Sequence, residues 1–390
     1  MINMEIFRMT VYNCYNHIWK HLARRTKRPA GWLQARRGMT IPSEREPAEA
    51  LGVSRLTASG GNSLLYLGVD GGGTKTGFAL VSEDGRIVSH TVKGSSNYVQ
   101  VGLESFAEVL SGGISEVCAG AGVIPEEIRC SFLGLPAFGE IEKDTSTLIG
   151  IVGRILRHGR FRCGNDVEAG WAGSLACRPG VHLVAGTGTI GFGTDPGGHT
   201  ARAGGWGWFF GDEGSAYWLG RQLVSLFSKE ADGREPRTPL YDLVRAEFHL
   251  TRDFDLIPVL NDVMELKRDE IARLALLVFR AAGQGDPKAL ALYETAAHEL
   301  SLIAKSLLGQ LCFPPHEAVP VSYSGGVFSA GELILNPLAM FLAGEPIRLA
   351  RPILLPVTGA ALYAMKLDGR TISDGLIEEL RKREAVVIQA

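Results

Sequence analysis

A glycine triplet flanked by polar residues follows an apolar run in the order Asp70-Gly71-Gly72-Gly73-Thr74-Lys75. Glycine loses more backbone freedom on folding than any other residue, so a triplet is costly unless the backbone must stay bare. Successive amide N–H groups in such a turn form a concavity for an anion. Thr74 adds a hydroxyl donor, Lys75 adds a positive charge, and the Asp70 carboxylate suits Mg²⁺, usually through water. The stretch therefore predicts a phosphate-binding loop.

This loop matches neither of two common nucleotide-binding motifs. The P-loop requires GxxxxGK[ST] opening a helix, and the dinucleotide fingerprint also opens a helix. Here the loop leads into a second apolar run, which predicts another strand. Taken alone, the triplet is equally compatible with a hairpin that binds nothing.

Two further glycine loops follow apolar runs later in the chain. Gly186-Thr187-Gly188-Thr189 follows residues 181–185, and Gly325-Gly326-Val327 closely follows residues 319–323. Each loop alone is compatible with an ordinary turn. Three such loops, each after a strand, fit one polyphosphate nucleotide held in a cleft between two domains. Because the first two loops are alike in Gly and Thr, they suggest two similar halves with equivalent loops facing each other.

Two other stretches carry carboxylates. Asp166 lies at a predicted strand end just before a predicted helix, where it is either the helix N-cap or a general base facing the nucleotide cleft. The segment 204–218 combines glycines, aromatic residues and the adjacent carboxylates Asp212 and Glu213. Carbohydrate sites need apolar ring faces together with acceptors for hydroxyl groups. The alternative is an aromatic core loop followed by an acidic helix start, which suits the helix dipole.

The elements that must position these residues alternate between strands and helices. The Asp84-Gly85 pair predicts a hairpin. The predicted strands are 64–70, 77–83, 87–92, 128–135, 161–163, 181–185, 319–323 and a short one at 353–355. The predicted helices are 106–118 with an interruption at Gly112-Gly113, 145–156, 167–176, a mostly helical region over 216–311, and 358–365. This order predicts an α/β fold with mixed sheets.

Composition narrows the class of protein. The 390 residues carry a net charge of −2; residues 1–60 hold 10 Lys+Arg against 4 Glu, which leaves 30 basic against 38 acidic residues in the remainder. This acidic body argues against nucleic acid as a partner. The six scattered cysteines predict small buried side chains in a reducing compartment. No run approaches the ~20 apolar residues that span a bilayer. We therefore expect a cytoplasmic protein without a membrane partner.

These motifs together carry a resemblance. The chain resembles the N-acetylglucosamine kinases, within the BadF-type ATPase family of the actin/hexokinase/Hsp70 superfamily, over about residues 64–366. The GGWG and GDEGSAYW sequences are the more specific part of it. The motifs in family order are Asp70 to Thr76, Ser96-Asn97, Asn165-Asp166, Ala185 to Thr189, Gly204 to Gly207, Gly211 to Ala216 and Ser324 to Val327.

The resemblance implies two RNase H-like domains that close on ATP and an amino sugar in the interdomain cleft. It implies a cytoplasmic enzyme of amino sugar metabolism and cell-wall recycling, and a homodimer is common among such kinases. The implied domains are a basic extension at 1–62, a first domain at 63–185 and a second at 186–390 with a helical insertion. Whether the C-terminal helix packs on the second domain or back on the first is left open.

The resemblance also implies roles for single residues. Asp166 is the catalytic base, which accepts the proton of the sugar 6-hydroxyl as that oxygen attacks the γ-phosphorus, with Mg²⁺ and loop amides stabilising the developing charge. Asp70 holds Mg²⁺ through water. The phosphate loops comprise Asp70, Gly71, Gly72, Gly73, Thr74 and Lys75, and Gly186, Thr187, Gly188 and Thr189. Gly325, Gly326 and Val327 contact the adenosine, and Asn97, Gly205, Trp206 and Asp212 hold the sugar.

One departure leaves the sugar open. The chain has Asn97-Tyr98 where the family often has Asn-His. N-acetylglucosamine, N-acetylmuramic acid, glucosamine and a disaccharide fragment therefore all remain candidate substrates.

The N-terminus carries a second resemblance. Residues 41–58 resemble part of a GntR-type winged helix-turn-helix, but Pro47 falls where a helix should continue, at a cost of about 3 kcal/mol. Ser59-Gly60-Gly61 then cuts the recognition helix short. We interpret the segment as a degenerate remnant.

Two alternatives to a sugar kinase remain: a BadF-type activator of an iron–sulfur enzyme, which needs clustered cysteines, and a non-catalytic sugar sensor.

Overall fold

The structure is a computed structural model that describes residues 63–387, and it contains two five-stranded mixed sheets. The predicted basic extension, the helix-turn-helix remnant and Cys14 lie outside the described residues. The first sheet consists of β1 (Leu65–Asp70), β2 (Thr76–Ser82), β3 (Ile87–Lys93), β4 (Cys130–Leu135) and β5 (Phe161–Asn165). The second consists of β6 (Gly180–Ala185), β7 (Thr189–Thr194), β8 (Thr200–Gly204), β9 (Val319–Ser324) and β10 (Ile347–Ala350).

The two sheets have the same topology. The strand order is β3-β2-β1-β4-β5 in the first and β8-β7-β6-β9-β10 in the second. In each sheet three consecutive strands pair antiparallel, and two later strands join parallel. β1 and β6 are thus equivalent, and each is followed by a glycine loop. The predicted α/β fold with two similar halves and mixed sheets is confirmed.

The longer α-helices pack on the sheets and on one another. They are α1 (Tyr98–Ala121), α2 (Glu142–Leu156), α3 (Asp166–Ser174), α4 (Ala216–Ala231), α5 (Pro239–Glu247), α6 (Arg268–Arg273), α7 (Ala275–Gly283), α8 (Pro287–Gln310), α9 (Glu332–Phe341), α10 (Pro356–Leu367) and α11 (Asp374–Val387). The predicted helical region over 216–311 is confirmed by α4 to α8. Within residues 63–387 no helix is long and apolar enough to cross a membrane.

The first sheet is covered by helices on both faces. Side chains of β1 alternate: Leu67 and Val69 pack in the cluster with α1 and α2, whereas Tyr66 packs in the cluster with α3 and α10. α3 and α10 meet where each has a glycine, because a Cβ on Gly359 would lie 2.1 Å from the nitrogen of Gly173. α3 also contacts β6, β7 and β9 of the second sheet. The helix that begins at Asp166 therefore packs against both halves.

One predicted interruption of a helix and one predicted strand are wrong. Helix α1 continues through Gly112-Gly113 and departs from helical geometry at Gly102 instead, where φ is 82°. Residues 353–355 form no strand, because the N–H groups of Ile353 and Leu354 donate to carbonyl oxygens at the end of α3, at 3.2 and 3.1 Å. The parallel edge strand is β10, which the sequence analysis missed together with β7 and β8.

The predicted boundary between the domains lies at 185/186, directly after β6, and β6 belongs to the second sheet. α11 contributes Glu384, whose carboxylate accepts from the N–H of Leu355 at 2.9 Å, and Leu376, which lies against Gly85. The division into domains stays a prediction. The five cysteines of the described part are free thiols: Cys118, Cys130, Cys163, Cys177 and Cys312.

The glycine pair in α1 generates a stability prediction. A Cβ on Gly113 would lie 2.4 Å from the buried ring of Phe78, whereas a Cβ on Gly112 would meet nothing within 4 Å. Gly113→Ala should therefore destabilise the protein by about 1–3 kcal/mol through overpacking. Gly112→Ala should stabilise it by about 0.5–1 kcal/mol through helix propensity. Urea denaturation of both variants checks this, and equal effects would contradict it.

Candidate active site

Two aspartates lie at one edge of the first sheet. β1, β4 and β5 are parallel, and their register pairs Asp70 with Gly134 and Gly134 with Gly164. The carboxyl ends of these strands therefore share an edge, and Asp166 follows β5 directly. Gly134 lies between them without a side chain; a Cβ there would be 3.3 Å from the Cα of Asp166. The register thus brings together two of the residues that were predicted to do chemistry.

Burial shifts both carboxylates towards neutrality. Burial, and then the negative charge of Asp166, raise the pKa of Asp70 to about 7, against the opposing effect of Lys75. Burial, and then the charge of Glu140, raise the pKa of Asp166 to about 6, while Arg202 lowers it. A carboxylate with a pKa in this range can accept a proton at neutral pH and later release it. This behaviour suits a general base.

The N-cap interpretation of Asp166 is wrong, because Asn165 caps α3. Oδ1 of Asn165 accepts from the N–H of Val167 at 3.2 Å, and Glu168 accepts from the N–H of Asn165 at 3.1 Å. This reciprocal arrangement is a capping box. Asp166 is the first helical residue, so its side chain is not required for the cap. The role of Asp166 as a base stays a prediction.

The first glycine loop lies against residues 95–97. The N–H of Gly71 donates to the carbonyl oxygen of Gly134 at 2.8 Å, and a Cβ on Gly71 would lie 2.5 Å from Oγ of Ser96. Ser95 donates to the carbonyl oxygen of Gly72 at 3.1 Å. Asn97 is the N-cap of α1. The structure therefore brings the first predicted phosphate loop next to one predicted sugar residue.

The second and third glycine loops are in contact. Gly325 has φ 102°, and a Cβ there would lie 2.4 Å from the carbonyl oxygen of Ala185 and 2.8 Å from the nitrogen of Gly186. Only a bare backbone permits this approach. Oγ1 of Thr189 is buried and has no hydrogen-bond partner within the described residues. An unpartnered buried hydroxyl in this loop is consistent with a site for a polar ligand.

Asp212 supports the second loop. Its Oδ1 accepts from the N–H of Thr189 at 3.0 Å, and its Oδ2 pairs with Arg268 at 2.7 Å. Asp212 is buried and has φ 60°, in the left-handed region that aspartate tolerates better than most residues. Both carboxylate oxygens thus hold protein groups. Sugar binding by Asp212 stays a prediction, and Arg268 is a functional neighbour that the sequence analysis missed.

The aromatic segment is exposed. The exposed fractions are 79% for Trp206, 70% for Phe209 and 81% for Phe210, and the rings of Phe209 and Phe210 meet edge to face. The alternative interpretation, an aromatic core loop, is therefore wrong for these side chains. Gly205 connects the segment to the second loop, because its N–H donates to the carbonyl oxygen of Thr189 at 2.8 Å.

One ion pair links the residues of the two sheets. Arg202 in β8 pairs with Glu140, which follows β4, at 3.2 Å. The same guanidinium donates to the carbonyl oxygen of Gly205 at 2.8 Å. Neither Arg202 nor Glu140 was predicted from the sequence, and the position of Arg202 three residues before Gly205 is the one signal that points to it.

A buried histidine lies behind the third loop. Nδ1 of His182 is 2.9 Å from Oγ of Ser322, and Nε2 is 3.0 Å from Oγ of Ser324. Burial lowers the pKa of His182 to about 3, so the ring is neutral at physiological pH. His182 holds Ser324 directly before Gly325. The sequence analysis missed it because it lies inside an apolar strand.

The donor set fits Mg²⁺ supplied with a nucleotide. Within residues 63–387 no three His, Cys, Asp or Glu side chains cluster as a metal cage. Mg²⁺ commonly takes one or two protein carboxylates, several waters and substrate phosphates. Asp70 is such a carboxylate, and a cation beside it would offset the repulsion from Asp166. Asp70 is thus the residue that would hold the ion.

The α/β architecture, with two mixed sheets of the same topology, is that of the actin-like ATPases. A sequence profile of the BadF/BadG/BcrA/BcrD ATPase family matches residues 67–364. The chain belongs to this family. The predicted family is thereby confirmed.

Relatives indicate the enzyme class. The chain is 30% identical over 277 residues to an N-acetylmuramic acid/N-acetylglucosamine kinase of Clostridium acetobutylicum, covering 71% of this chain and 89% of that protein. A candidate N-acetylglucosamine kinase of Chromobacterium violaceum has a solved structure with TM-score 0.61 and 28% identity, covering 77% of this chain and 99% of that one. The fold is shared with a ROK hexokinase of Thermus thermophilus, which has TM-score 0.51 and 19% identity. The match covers 79% of this chain and 100% of that one. The predicted enzyme class, a sugar kinase, is confirmed.

The raised pKa of Asp70 predicts a pH-dependent stability. A folded-state pKa near 7 against an ordinary 3.8 means that the stability from the protonated form is fully present below pH 3.8 and lost as pH rises through 7. Asp70→Asn should therefore raise the free energy of unfolding at pH 8, on the order of 1–2 kcal/mol, and the gain should shrink towards pH 4.

Chemical denaturation between pH 4 and pH 8 checks this prediction. Asp374→Asn is the control, because its side chain is 91% exposed and should give no such pH dependence. A difference between Asp70→Asn and wild type that stays constant across this range would contradict the buried-charge explanation.

Proposed function

We propose that the protein transfers the γ-phosphoryl group of ATP to the 6-hydroxyl of N-acetylglucosamine or a related amino sugar. The observation that carries the proposal is the position of Asp166. It lies at the sheet edge beside Asp70, with its pKa raised to about 6, in a chain of the BadF ATPase family with sugar-kinase relatives. A base at this position can serve an alcohol acceptor.

The proposed reaction assigns a task to each group. Asp166 accepts the proton of the sugar hydroxyl as its oxygen attacks the γ-phosphorus in line, and ADP leaves with the bond to the β-phosphate oxygen broken. Mg²⁺, when bound with the nucleotide, spreads the charge of the transferring group. The first two glycine loops offer backbone N–H groups to the phosphates, and the third loop borders the adenosine.

The sugar is proposed to lie between the two sheets. Asn97 follows the first sheet's hairpin strands, whereas Gly205 and Trp206 follow β8 of the second sheet. Closure of the two halves would therefore assemble the sugar site and exclude water, which limits hydrolysis of ATP. The exposed ring of Trp206 supports this placement, because an apolar sugar face can pack on it. The 6-hydroxyl is the acceptor that the family resemblance implies.

Within the described residues, the cysteines favour a kinase over an iron–sulfur activator. No three His, Cys, Asp or Glu side chains cluster there. Burial also raises the pKa of Cys163 and Cys177 to about 12, which disfavours the thiolate that ligates iron. The sensor alternative depends on residues 41–58, outside the described part. N-acetylglucosamine and N-acetylmuramic acid are the first substrates to test, since the Clostridium relative is named for both.

The central prediction concerns Asp166→Asn. The amide keeps the size of the side chain but cannot take the hydroxyl proton, so ATP-dependent turnover on an N-acetylated amino sugar should fall by about 10²–10⁴-fold. The dissociation constant for ATP should change little. Turnover is measured by a coupled assay of ADP release and by direct detection of the sugar phosphate. The dissociation constant for ATP is measured by calorimetry.

Asp374→Asn is the matched control for Asp166→Asn. Asp374 is also the first residue of its helix, but it is exposed and pairs with Arg178 away from the glycine loops. The control should retain wild-type turnover. Turnover that survives Asp166→Asn would remove this base from the mechanism, and wild-type protein that binds ATP but phosphorylates no sugar would refute the kinase itself.

A further inference from the structure

Arg202 lies between the residues proposed to hold the sugar and the proposed base. Its Nη2 donates to the carbonyl oxygen of Gly205 at 2.8 Å and pairs with Oε1 of Glu140 at 3.2 Å. Its charge also reaches Asp166, whose pKa it lowers. A neutral sugar offers no charge to pair with this cation. The position therefore suits a substrate that carries a negative group.

The ion pair between Arg202 and Glu140 can be exchanged. The two side chains are 33% and 37% exposed, and ion pairs at such exposure contribute little to stability. A guanidinium presents five N–H donors in a planar fork that matches a carboxylate bidentately. Within residues 63–387 both hydrogen bonds of the Arg202 side chain leave from Nη2. Once Glu140 is displaced, Nη2 and the neighbouring Nη1 can together receive a substrate carboxylate.

The distribution of charge favours a carboxylate over a second phosphate. Glu140 and Asp166 already bring negative charge to this side of the site, since the charges of Glu140 and Arg202 both act on Asp166. A dianionic phosphate would meet stronger repulsion there than a single carboxylate does. The charge of Lys75 lowers the pKa of Asp70, so this cation belongs to the proposed phosphate loop. Arg202 instead donates to the carbonyl oxygen of Gly205, in the proposed sugar loop. The two cations therefore border different parts of the site.

We propose that Arg202 determines specificity for an amino sugar that bears a carboxylate, exchanging Glu140 for that carboxylate when the substrate binds. This inference rests on the proposed kinase function. N-acetylglucosamine and N-acetylmuramic acid are the matched probes, since they share the ring and the acetamide and the second adds a lactyl ether with one carboxylate. The readout is the ratio of kcat/KM for the acid to kcat/KM for the neutral sugar.

Arg202→Gln should lower this ratio by about 10- to 100-fold, mainly through KM of the acid, as expected for loss of a charge-assisted hydrogen bond. Arg202→Lys should recover part of it by keeping the charge. Glu140→Gln should raise the ratio, because it removes the competing carboxylate. If Arg202 only positions Gly205, its loss should change kcat/KM for both sugars by the same factor. The ratio of the two kcat/KM values would then stay unchanged.

Arg252→Gln is the control, because Arg252 pairs with Asp255 at 2.9 Å inside its own turn and is 80% exposed. Its ratio should equal that of the wild type. An unchanged ratio in Arg202→Gln overturns the inference, as does wild-type protein that phosphorylates the neutral sugar but not the acid. Wild-type protein that phosphorylates neither sugar refutes the kinase function, and the inference falls with it.

Discussion

The candidate site depends on two half-buried carboxylates that the fold brings to one sheet edge. Burial raises the pKa of Asp70 and of Asp166, and a neighbouring charge raises each further: that of Asp166 acts on Asp70, and that of Glu140 acts on Asp166. Such an arrangement costs stability, because each charge loses solvation and meets a like charge. Proteins retain strain of this kind at functional sites. A Cβ on Gly134 would lie 2.8 Å from the Cβ of Ala169 and 3.3 Å from the Cα of Asp166, so the bare backbone lets the start of α3 pack against β4.

The duplicated sheet is the scaffold that makes this edge useful. Since β1 and β6 occupy equivalent positions, the loops that follow them are also equivalent, and the loop after β9 lies against the one after β6. α3 joins the two halves: it packs on both sheets and meets α10 through paired glycines. The residue that begins α3 is Asp166. A single short helix thus carries the proposed base at the junction of both halves.

Contacts between distant segments then connect the loops. Arg202 binds Glu140 across 62 positions of the chain, and Asp212 binds Arg268 across 56. Arg202 also donates to the carbonyl oxygen of Gly205, and Asp212 also accepts from the N–H of Thr189. Because the pair of Arg202 and Glu140 is partly exposed, it can rearrange when a ligand arrives. Burial and the charge of Glu140 raise the pKa of Asp166, and Arg202, which lowers it, is also next to the proposed sugar loop.

The sequence by itself determined the local features: most strands, the three glycine loops after strands, the duplication, and the family, since periodicity and turn chemistry act over a few residues. Tertiary structure decided what depends on packing. It gave the cap of α3 to Asn165 instead of Asp166, let α1 run through Gly113 against the ring of Phe78, and turned residues 353–355 towards a helix end instead of a sheet. It also placed the carboxylate of Asp212 where it accepts from the N–H of Thr189 and supports the second glycine loop. Hydrogen bonds and ion pairs between segments far apart in sequence leave no periodic pattern, so only the folded chain reveals them.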